Sequence, residues 1–119
     1  MKKREEINLH FGNKKSVKIE GQVCDNIFSQ ARGLMFRSKS KAPILIFKFG
    51  RDVREPIHSL FVPFSFVSIW LDKDFKVVEK RKVKPWKFYV CPRKNFRYFV
   101  EIPITEGNKQ ILDDIERFK

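Results

Sequence analysis

From Ile57 to Leu71 the chain is almost wholly apolar for fifteen residues, and Pro63 stands in the middle of the run. Proline has no N–H to give to a central ladder and breaks a helix interior, so one uninterrupted element is excluded. The run is also too short and too interrupted to cross a membrane as a helix. Two strands, or one strand with a bulge near Pro63, are expected, with Val67, Ile69 and Leu71 mostly buried.

The rest of the chain reads in the same period. Ile7, Leu9 and Phe11 alternate with Asn8 and His10, the Gly12–Lys15 stretch interrupts them, and Val17, Ile19 and Val23 resume the alternation. That pattern predicts a hairpin. Ile27, Phe28, Ala31, Leu34 and Met35 then recur at helical spacing behind an N-cap candidate at Asp25 or Asn26, which predicts a short helix near residues 26–36. Gly33 would cost that helix about 1 kcal/mol relative to Ala, so close approach of a neighbouring strand is its expected reason. Further strands are expected near residues 43–49, 57–71, 76–80 and 97–102, with Phe47 buried. Residues 105–119 stay open between helix and strand, since Ile111, Leu112, Ile115 and Phe118 fit a helix.

At 119 residues the chain suits a single domain, 1–119. A hydrophobic share of 42% is enough to build a core and argues against disorder, and 13 Phe favour a half-buried pleated surface. The 26 Lys and Arg against 14 Asp and Glu give a formal charge of +12, which attracts anions at long range. Nucleic acid, an acidic protein or an anionic ligand are the admissible partners. Lys-rich composition with few amides is also a device of proteins that work hot. Cys24 and Cys91 are the only cysteines and lack the close pairing of zinc or redox motifs, so no metal and no cofactor is expected even with His10 and His58 counted. Met1–Glu6 is charged and leads straight into alternation, so no membrane anchor is expected and a cytoplasmic location is.

Ala31–Arg37 reads Ala-Arg-Gly-Leu-Met-Phe-Arg. Behind it come Ile57-His58, the run Phe66–Asp72, and Lys84-Pro85-Trp86-Lys87-Phe88-Tyr89. That ordered set, spread over roughly Val17 to Glu101, resembles the domain of unknown function 192 family in its archaeal form. The resemblance implies a mainly-β fold, with α+β as the alternative: an antiparallel sandwich or flattened barrel with the short helix across an open end. Closing the sheet would also remove exposed strand edges. The resemblance implies no activity. In many relatives a carboxylate stands in the strand after His58, where this sequence has Val67, and that removes the obvious acidic partner for His58 or Arg37.

Enzyme signatures are missing: there is no phosphate-binding glycine loop, no nucleophile elbow and no zinc-protease helix motif, so no catalytic residue is assigned. The strongest local signal is Lys80–Arg97, which holds eight cations and no acid: Lys80, Arg81, Lys82, Lys84, Lys87, Arg93, Lys94 and Arg97. Trp86, Phe88, Tyr89 and Phe96 are interleaved with them. Cations neutralise backbone phosphates and aromatic faces stack on unpaired bases, so Trp86 and these eight form the expected binding set of a small nucleic-acid accessory protein. If the rings point inward, only the charge remains. A second reading is a small-molecule or anion pocket, or an enzyme, built near Arg37, His58 and Trp70; a third is an interaction domain for an acidic protein. A deep cavity would favour the pocket, and exposed aromatics on a flat face would favour nucleic acid. Oligomeric state is open.

Overall fold

The computed structural model describes residues 3–12, 15–25, 30 and 33–118. Six strands share one sheet: β1 (Arg4–Phe11), β2 (Lys15–Cys24), β3 (Leu45–Val53), β4 (Phe66–Leu71), β5 (Val77–Val83) and β6 (Phe96–Pro103). A single 3-10 turn, Glu106–Asn108, then leads into α1 (Lys109–Arg117). The strand order is β1-β2-β3-β6-β4-β5. The sheet curls into a half-barrel whose two ends meet where the backbone N–H of His10 donates to the carbonyl of Phe75 at 2.9 Å. The domain is mainly β, as expected, but its sheet is mixed: β2 and β3 run parallel, with Gln22 beside Leu45 and Cys24 beside Phe47.

That parallel join is tight. A Cβ on Gly21 would stand 2.8 Å from the Ile44 carbonyl oxygen, so only glycine lets the two backbones approach. The first hairpin forms as its alternation predicts, with Ile7 opposite Ile19 and Leu9 opposite Val17. Pro63 has the effect expected of it in part: the strand begins only at Phe66, and Ile57 makes an isolated bridge to Val90. The segment between them is a loop. Of the predicted helix at residues 26–36, most lies outside the described residues, and residues 33–36 form a turn.

Both faces of the sheet are covered. One carries Ile7, Leu9, Val17, Ile19, Ile46, Ile69, Leu71, Val100 and Ile102, and α1 lays Ile115 against it with Ile111, Leu112 and Phe118 in support. The C-terminal segment is therefore a helix, and its last carbonyls are held by Lys80, whose Nζ donates to Ile115 O and Phe118 O at 2.8 Å each. This satisfies orphan acceptors and complements the helix dipole. The other face carries Leu45, Phe47, Phe66, Trp70, Phe96 and Phe99 and is covered by Leu34, Val62, Phe64 and Val90. Chain segments without regular structure cover this second face, and the candidate site lies among them. Among the described residues no helix is long and apolar enough to cross a membrane.

Candidate functional site

A cavity of about 300 Å³ opens between β3, β6, the 33–35 turn and the 55–58 segment. Phe47, Phe49, Phe96 and Phe99 contribute rings to its wall, with Phe47 and Phe99 5.1 Å apart between centroids and Phe49 edge-on to Phe96 at 5.5 Å. Its polar lining is Gln30, Glu55, His58 and Glu101. Glu101 lies opposite Leu45 of β3 and Ser68 of β4, in the middle of the sheet, so three strands enclose it. It is 5% exposed, and neither its Oε1 nor the Ser68 Oγ across from it has a hydrogen-bond partner. Burial alone pushes its pKa up to about 8, because the charged form cannot be solvated there.

Gly33 shapes this cavity. Its φ of +49° is a left-handed position, and a Cβ there would stand 3.3 Å from Glu101 Oε1 and 3.6 Å from the Phe47 ring. Close approach is thus a reason for the glycine, as expected, although it sits in a turn. Of the expected pocket set, only His58 lines the cavity. Its Nδ1 accepts from the Leu60 N–H at 3.1 Å, which leaves the proton of the neutral ring on Nε2. The Arg37 Nε donates to Gly33 O at 3.1 Å. Trp70 is buried away from the cavity lining, stacked on Phe99 at 5.3 Å with Arg81 5.7 Å from its ring. Val67 packs on the opposite face, so the carboxyl of Glu101 is no substitute for one at that position.

Beside the cavity stands an aromatic rim. Phe36 stacks on Phe61 with centroids 5.0 Å apart, and Phe61 meets Trp86 edge-on at 5.0 Å. All three have left-handed backbones, with φ of 61°, 59° and 63°. For a bulky residue that conformation costs on the order of 1–3 kcal/mol, and it persists only where surrounding contacts impose it. Ser59 braces the loop on both sides of Trp86: fully buried, its Oγ donates to Lys84 O and accepts from Lys87 N–H at 2.7 Å, while its carbonyl takes the Trp86 N–H at 2.9 Å. A further bond runs from Phe36 N–H to Phe61 O at 2.9 Å. The rings point outward: Trp86 is 54% exposed, Phe88 81% and Tyr89 69%.

The basic set divides in two. Lys80 caps α1, Arg81 pairs with Glu79, and Arg97 pairs with Asp52 at 3.0 Å, so these three serve the fold. Lys82, Lys84, Lys87, Arg93 and Lys94 are exposed and form no ion pair with a described residue. Sequence reasoning missed Glu101 and Ser59. The signal for Glu101 was there, as an acid set between Val100 and Ile102; for Ser59 there was none. Cys24 is buried and Cys91 half-buried, and they are not joined in a disulfide. Among the described residues no three His, Cys, Asp or Glu gather as metal ligands would.

A curled, mixed β-sheet with a basic, aromatic rim beside a small acid-lined cavity defines a compact half-barrel domain. The chain belongs to the domain of unknown function 192 family, described as uncharacterized ACR, whose model matches residues 9–110. It is 38% identical over 100 residues to a UPF0127 protein of Pyrococcus abyssi, covering 82% of this chain and 83% of that one. A UPF0127 protein of Pyrococcus horikoshii is 34% identical over 91 residues, covering 75% and 78%. Two solved structures share the fold. One, from Sinorhizobium meliloti and provisionally named a transcription regulator, has a TM-score of 0.75 at 13% identity over 92% of this chain and 87% of that one. The other, a protein of unknown function from Novosphingobium aromaticivorans, has a TM-score of 0.70 at 14% identity over 91% and 78%.

Proposed function

We propose that this protein binds single-stranded nucleic acid as an accessory factor, weakly and with little sequence preference, through the Phe36–Phe61–Trp86 rim and the cations Lys82, Lys84, Lys87, Arg93 and Lys94. The observation that carries the reading is the outward set of rings. All five exposed large apolar side chains among the described residues, Phe36, Phe61, Trp86, Phe88 and Tyr89, lie in the loops that form this rim and its flank. Aromatic faces stack on bases of any identity, and the unpaired Lys84 and Lys87, close to Trp86 in the same loop, neutralise phosphates, while Lys82 adds its charge from the α1 side of the sheet. A bland solvated surface would not need strained backbones to present its rings. Two cysteines not joined in a disulfide suit a reducing compartment, which supports a cytoplasmic place of work.

Backbone neutralisation predicts a Kd on the order of 10⁻⁴ to 10⁻⁶ M at physiological salt, weakening steeply as salt rises. Fluorescence anisotropy of a labelled oligonucleotide at low salt tests it. Changing Lys82, Lys84 and Lys87 together to Glu should abolish most binding while the fold stays intact, since exposed charges contribute little to stability. Trp86→Ala should cost a further 1–3 kcal/mol, roughly, with little change in salt slope. Equal affinities for parent and triple variant, or binding by neither, would reduce the charge to solvated surface.

A further inference from the structure

We propose that the cavity is a binding site for a small organic cation, an alkyl ammonium whose charge meets the Glu101 carboxyl and whose hydrocarbon part lies among Phe47, Phe49 and Phe96. The chain carries 26 Lys and Arg, yet among the described residues no Lys or Arg lines this cavity; its described titratable lining is Glu55, His58 and Glu101. The site thus has the opposite charge preference from the surface around it. Phenylalanine faces attract cations through their quadrupole, and more strongly where water is excluded. Glu101 Oε1 has no hydrogen-bond partner among the described residues, and Ser68 Oγ opposite it has none, so polar atoms are already desolvated where an ammonium would arrive. At about 300 Å³ the space sits at the small end of ligand pockets.

The groups facing the site from each side are few. The 55–58 segment brings Glu55 and His58, the Gln30 amide is tied to Cys24 O and Lys48 O, and β4 presents Ser68. Of the described cations nearby, the Arg37 Nε donates to Gly33 O and Lys48 pairs with Glu5. In the empty site the Glu101 carboxyl holds its proton near neutral pH. An ammonium beside it favours the carboxylate, so binding releases that proton to solvent. One ammonium enters as one proton leaves, so the protein's net charge is unchanged and this binding should depend little on salt, unlike oligonucleotide binding.

Calorimetric titration of the intact protein with n-butylammonium chloride near pH 7, in two buffers of different ionisation heat, tests the proposal. Saturable binding is expected, with close to one proton released and with 1-butanol and butyrate binding at least tenfold more weakly. Glu101→Gln should lose the proton release and at least tenfold in affinity. Butanol or butyrate matching the amine, an absence of amine binding, or unchanged binding by Glu101→Gln would overturn it; if that variant does not fold, the three-ligand series on the parent protein decides. The Lys82, Lys84 and Lys87 triple variant should bind butylammonium as the parent does. Failure at the cavity and failure at the rim are therefore separate results.

Discussion

Two residues show how local choices set stability here. The Glu101 carboxyl would titrate near 4.5 in an unfolded chain and near 8 in the fold. Between those values the unfolded chain has released the proton and the folded one still holds it. The stability tied to this proton is therefore complete below about pH 4.5 and declines as pH rises toward 8. The slope from this group is about 1.4 kcal/mol for each pH unit. Urea denaturation across that window should show the decline, and Glu101→Gln should flatten it. A parent protein equally stable at both ends would count against a buried, neutral acid. Leu34, 2% exposed and packed against the Phe47 face, is the second. Leu34→Ala should cost about 2–5 kcal/mol in reversible unfolding, and a loss below about 1 kcal/mol would show that the Gly33-Leu34-Met35 turn is not part of the core.

At the scale of elements, the strands were legible and their partners were not. Alternation marks β1 and β2 because residues of a strand point alternately to two faces, and Pro63 marks where β4 cannot begin. The β2–β3 parallel pairing has no signature in either strand, since it is fixed by what β6 does beyond them. The rim was half legible: Trp86 and its lysines were visible as a cluster, but whether the rings turn out depends on Ser59, twenty-five residues from Lys84, whose carbonyl it bonds. Ser59→Ala leaves the Lys87 N–H and the Lys84 carbonyl without that hydroxyl, at a cost of about 1–3 kcal/mol. Hydrogen exchange should then quicken at Lys87 first, and oligonucleotide affinity should fall even though no contact residue has changed. Unaltered exchange at Lys87 would mean the loop is held by its own packing. The cavity was the least legible element, because a strand's pattern shows which way Glu101 points and nothing of the loops that enclose it.

For the whole molecule, the order β1-β2-β3-β6-β4-β5 gives the strand that arrives last a central place. β6 is flanked by β3 on one side and β4 on the other, so it joins β1, β2 and β3 to the hairpin of β4 and β5. A chain emerging from the ribosome can close its two hairpins early, yet apart from the His10–Phe75 junction the two halves are paired only through Phe96–Pro103. Such non-local closure slows folding and leaves apolar strand faces uncovered in the interval. The interval is also when β3 and β4 each offer a bare edge to the same missing strand. A neighbouring molecule's β6 would satisfy those edges as well as its own, so crowded synthesis carries an inherent route to strand exchange, and the emergence of β6 is the moment at which each copy becomes itself.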